Sequence, residues 1–93
     1  MIGIEDYVSV ETARVLHEKG YSGMVTAATL YEAQKWLRVN HRILVTPYYV
    51  SDDKYTYHIL RMDAGNNYCH NYSQYDSYEE ALNAGIEEAL KLI

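Results

Sequence analysis

Val10, Ala13 and Leu16 recur at helical spacing, with Val15 beside them, and predict a first helix over about 10–19. Ser9 suits its N-cap, Glu11 its first turn, and Lys19-Gly20 its C-terminal stop. The next stretch, Tyr21-Ser22-Gly23-Met24-Val25, reads as a loop. Leu30, Ala33, Trp36 and Leu37 then supply the buried face of a second helix over about 29–40, opened by the capping-box pattern Thr29-x-x-Glu32.

From Ile43 the helical period gives way to β-rich composition. A strand is expected over about 43–50, with Pro47 placing it at an edge or a bulge. The polar turn Ser51-Asp52-Asp53-Lys54 leads to a second strand over about 55–62, so the two form a hairpin. Asp63-Ala64-Gly65-Asn66-Asn67 reads as another turn, and a third, weaker strand is expected over about 68–73. Ser77-x-x-Glu80 caps a last helix over about 77–92, in which Tyr78, Ala81, Leu82, Gly85, Ile86, Ala89, Leu90 and Ile93 recur at helical spacing. Gly85 costs about 1 kcal/mol against alanine in mid-helix, which points to close approach to a strand or neighbouring helix. The expected fold class is α+β: a single domain over 1–93 in the order α-α-β-β-β-α, with a three-stranded antiparallel sheet and helices packed on one face.

Composition adds one distinctive fact: eleven Tyr, one Trp and no Phe. A core alone has no need to exclude Phe, because a buried Tyr must place its hydroxyl. The rings on the strands are therefore the best candidates for function, as a surface of rigid amphipathic groups. Tyr48, Tyr55, Tyr57, Tyr68 and Tyr72 form the candidate interaction surface, with Tyr55 and Tyr57 sharing one face of the second strand and Tyr68 and Tyr72 one face of the third. The expected partner is another protein or a second copy of the chain.

Net charge is −5, spread unevenly. Residues 1–42 carry five basic and five acidic side chains, whereas 76–93 hold Lys91 against Asp76, Glu79, Glu80, Glu87 and Glu88. That balance argues against a general nucleic-acid binder, which needs clustered Lys and Arg. The nearest approach to such a cluster is Lys35, Arg38 and Arg42, a basic stripe that reads either as a solvated helix end or as an anion contact, the latter giving the alternative of a nucleic-acid-associated accessory protein. The acids of the last helix offer a further alternative, a negative surface for a basic site.

Catalytic, cofactor and metal sites are not expected. Cys69-His70 are strand neighbours and point to opposite faces, and there is no ligand set with zinc-like spacing, no calcium-loop pattern and no phosphate-cradling glycine loop. No window approaches the ~18 apolar residues of a membrane span. The N-terminal run Met1-Ile2-Gly3-Ile4-Glu5-Asp6 does not read as a signal peptide, and the lone Cys69 suits a reducing cytoplasm.

Residues 29–93 follow the α-β-β-β-α order of the double-stranded RNA-binding domain, and resemble it in topology. That family carries a lysine-rich segment at the start of its final helix, where this chain has Asp76-Ser77-Tyr78-Glu79-Glu80, the wrong sign for gripping phosphate. The segments Ser9 to Gly20, Thr29 to Leu37 with its Lys35-Trp36-Leu37, and Tyr78 to Ile86 resemble small proteins of gut Bacteroides-type bacteria and their phages. That resemblance implies a bacterial or phage accessory protein and brings no activity or site residues.

Overall fold

The computed structural model describes residues 7–21, 29–62, 67–70 (backbone) and 73–93. Three helices, α1 (Val10–Glu18), α2 (Leu30–His41) and α3 (Tyr78–Leu90), pack with an antiparallel hairpin of β1 (Ile43–Ser51) and β2 (Lys54–Arg61), giving the expected α+β class. A short stretch, β3 (Asn67–His70), pairs antiparallel with β2. Of the third strand expected over 68–73, residues 71–72 lie outside the described residues, as do most of the loop at 21–25 and of the turn at 63–67.

Local chemistry sets the helix starts. The Ser9 hydroxyl accepts from the Thr12 N–H at 3.2 Å. Thr29 and Glu32 complete a reciprocal capping box, which satisfies two amides that the helix itself cannot. At α3 the box is half-formed: the Ser77 hydroxyl accepts from the Glu80 N–H, while the Glu80 carboxylate turns to the Asp76 N–H instead. Helix α2 ends at Arg42, whose left-handed φ of 56° redirects the chain straight into β1. The hairpin turns on Asp52 and Asp53, at φ of 51° and 58° between the paired Ser51 and Lys54. Two left-handed residues give a turn whose twist matches that of the strands.

Alternation then divides the sheet. Ile43, Val45 and Pro47 of β1 and Tyr57 and Ile59 of β2 are buried in a core shared with Leu16 of α1, Leu30, Ala33 and Leu37 of α2, and Leu82, Ile86, Ala89 and Leu90 of α3. The opposite row, Leu44, Thr46, Tyr48, His58 and Leu60, is half-buried or exposed, Thr56 being its buried exception. Helix α3 comes closest at Gly85. A Cβ built there would lie 2.5 Å from Val45 Cγ1 and 3.0 Å from Tyr57 Cδ1, so the glycine is required by the approach of helix to strand. This meets the expectation drawn from its unfavourable mid-helix position.

Among the described residues β1 is an edge strand, and its outer edge is blunted. The Val45 carbonyl accepts from Gln34 Nε2 of α2 at 2.7 Å, and Pro47 has no N–H to offer. On the far side of α3, Glu87 ties down α1. Its Oε1 accepts from the Thr12 hydroxyl at 2.8 Å, from Asn83 Nδ2 at 3.2 Å and from the Ser9 hydroxyl at 3.4 Å. A carboxylate beside the first turn of α1 also complements the positive end of its macrodipole. Part of the acidity of α3 is thus spent on holding the fold.

Candidate interaction surface

The hairpin end of the sheet carries a chain of aromatic rings. Tyr49 meets Tyr55 edge-on at 5.6 Å between centroids, and Tyr55 meets Tyr78 edge-on at 6.2 Å. Such T-shaped pairs fix ring orientation through the positive edge of one ring and the negative face of the next. Tyr49 has the parity of the core residues Val45 and Pro47, but it stands beyond them toward the turn and is 56% exposed. Tyr78, the first residue of α3, is 36% exposed, and Tyr55 between them is half-buried. On the other face of the same strand end, Tyr48 is 40% exposed beside the exposed Val50, and its ring lies 5.6 Å from that of His58.

Acids surround these rings. Asp52 and Asp53 form the turn, and the Asp53 N–H donates to the Tyr49 hydroxyl at 3.4 Å. Asp76 pairs with Lys54, whose ammonium is held charged to higher pH by that hydrogen bond and by the carboxylate's charge. Glu79 and Glu80 follow in the first turn of α3. An apolar patch of rigid rings with an anionic rim is the result.

The five tyrosines expected to form one surface are not equivalent. Tyr57 is only 5% exposed, packed beneath Gly85 and 6.2 Å from the ring of Tyr75. It is a core residue, which corrects its assignment to the contact surface. The reason is parity: Tyr57 shares a face with Ile59, so the alternation that buries one buries the other. Burial, reinforced by the neighbouring Tyr75, Glu88 and Glu87, pushes its phenol up to about 12. Tyr55 shares that face but lies at the rim. Tyr68 is the register partner of Leu60, and Tyr72 lies outside the described residues. Tyr49 and Tyr78, which sequence reasoning passed over, complete the cluster. Their signal was their position, one just before the turn and the other opening the helix that faces it.

Lys35, Arg38 and Arg42 are exposed along α2 and its C-terminal cap, and none makes an ion pair with a described residue. Lys35 is the one of the three that lines a shallow hollow of about 250 Å³, together with Tyr21, Glu32, Trp36, Val39 and Asn40. There Tyr21 donates to Glu32 at 3.3 Å and meets Trp36 edge-on at 5.8 Å; burial and the Glu32 carboxylate raise its phenol. A groove of about 230 Å³ between α1 and α3 is lined by Glu11, Thr12, Val15, Glu87, Leu90 and Lys91. Among the described residues no helix is long and apolar enough to cross a membrane. No protein-family model matches the chain, and neither a curated protein nor a solved structure matches it.

Proposed function

We propose that the chain is a non-enzymatic protein-interaction module of the α-α-β-β-β-α type, acting in the cytoplasm, whose contact surface is the aromatic cluster at the hairpin end. The observation that supports this most is the run Tyr49–Tyr55–Tyr78 of edge-to-face rings, exposed at both ends. Pre-ordered tyrosines present large contact area at little entropic cost, and their hydroxyls remain available at the rim.

The acidic rim narrows the partner class to a protein surface that presents Arg or Lys. A guanidinium can stack on an exposed Tyr face while bonding Asp52, Asp53 or Glu79. A second copy of the chain is the simplest partner to test, because Lys35, Arg38 and Arg42 provide such a surface on the molecule itself. Tyr49→Ser and Tyr78→Ser, separately and together, test the reading. Both residues stand clear of the core, so association should fall while the chain stays folded, less stable only by the lost edge-to-face contacts of about 0.5–1.5 kcal/mol each. Association unchanged in the double variant would remove the cluster from consideration.

A further inference from the structure

Arg42 is the residue before β1 and Asp52 the residue after it, so one extended strand carries opposite charge at its two ends. At ~3.3 Å per residue the strand holds them roughly 30 Å apart. That is most of the molecule's longest extent of 37 Å. At the Arg42 end, Arg38 and Lys35 stand one and two turns back along α2, all three exposed and without an ion pair to a described residue. At the Asp52 end, Asp53, Asp76, Glu79 and Glu80 join it around the run Tyr49–Tyr55–Tyr78. The cation among them, Lys54, is already held by Asp76.

This polarity restricts how a second copy can dock. A two-fold dimer that set the aromatic cluster on itself would press Asp52, Asp53 and Glu79 against their own duplicates, which like charges oppose. A two-fold dimer pairing β1 antiparallel with its own copy would join both ends at once, but a register that sets Arg42 against Asp52 is centred on Pro47. Met62 donates to the Arg42 carbonyl, so Arg42, Leu44, Thr46 and Tyr48 address β2, while Val45 and Pro47 address the outer edge. Pro47 has no N–H to give there, and the Val45 carbonyl is taken by Gln34. We propose that the chain associates head to tail with further copies of itself, the Tyr49–Tyr55–Tyr78 cluster of one copy receiving the Arg38/Arg42 end of the next. The guanidinium groups stack on the exposed rings and bond the carboxylates of the rim. Because each contact uses two different patches, assembly passes beyond two copies, to a ring or an open row. The inference rests on the reading of the cluster as a contact surface, and adds the occupant and the symmetry.

The test is sedimentation equilibrium of the full chain over a range of concentrations at low salt. The wild type should exceed the mass of a dimer, and added salt should reduce it. Tyr49→Ser/Tyr78→Ser keeps the basic end, and Arg38→Glu/Arg42→Glu keeps the cluster. Each alone, shown to be folded by circular dichroism, should associate about tenfold or more weakly. Their equimolar mixture should form a complex that stops at one copy of each, because a single compatible pair of surfaces remains. Asp52→Asn/Asp53→Asn, which keeps residues that tolerate the left-handed turn, should weaken association in the same direction. If Arg38→Glu/Arg42→Glu associates as the wild type does while Tyr49→Ser/Tyr78→Ser does not, the cluster stands as a contact surface and the head-to-tail arrangement falls. A wild type that stays monomeric or stops at two copies, or a mixture without a complex, overturns the arrangement as well. Association undiminished in Tyr49→Ser/Tyr78→Ser overturns the cluster reading itself and this inference with it.

Discussion

Gly85 of α3 lies directly over the ring of Tyr57 in β2, with room for a hydrogen but none for a methyl group. Gly85→Ala gains about 1 kcal/mol of helix propensity but overpacks the contact at a cost of ~1–3 kcal/mol. A net destabilisation is expected by urea unfolding. Val45→Ala in the same chain removes the Cγ1 atom that the new methyl group would strike, so the double variant should lose less than the sum of the two singles.

Tyr57 ties stability to alkaline pH. Its phenol is pushed up to about 12, against ~10 for an unperturbed tyrosine, so the fold favours the neutral form. That contribution is fully present below pH ~10 and is lost as pH rises toward the folded value. A phenolate absorbance titration should show a late step that Tyr57→Phe abolishes, and Tyr57→Phe should unfold less steeply above pH ~10.

Glu87 and Thr12 anchor α1. Thr12 is buried, and Glu87→Ala leaves its hydroxyl without the acceptor 2.8 Å away. A loss of about 1–3 kcal/mol is expected. Hydrogen exchange should locate the effect, with the amides of α1 losing protection before those of β1 and β2.

Arg38 and Arg42 should be dispensable for folding. They are exposed cations at the negative end of α2, and reversing both to Glu is expected to cost about 1–2 kcal/mol through the helix dipole without unfolding the chain. Duplex RNA titrated at about 50 mM salt, where phosphate contacts are strongest, should show no saturable binding. A salt-sensitive complex lost in the double reversal would instead favour an anion-binding α2.

Much of this architecture is written in local chemistry. Ser9, Thr29 and Ser77 announce the three helix starts because an N-cap depends on one side chain and the amide three residues on. Gly85 announced the helix–strand approach because its cost needs a compensating contact. Alternation gave the parity of Tyr55 and Tyr57 but not their depth. Burial on that face depends on how far α3 reaches along the strand, which places Tyr57 beneath Gly85 and leaves Tyr49 beyond the helix. Ile59 offered the missing signal, since a core position two residues away fixes the face of Tyr57.

Sedimentation velocity of the wild type and of Tyr49→Ser/Tyr78→Ser, alone and mixed with proteins captured from the native host, tests the contact-surface claim most directly. The wild type should associate, with itself or with a captured basic partner, and added salt should weaken the complex. The double variant should sediment as a folded monomer. A wild type that stays monomeric and captures nothing, or a double variant that associates as strongly as the wild type, would contradict the account.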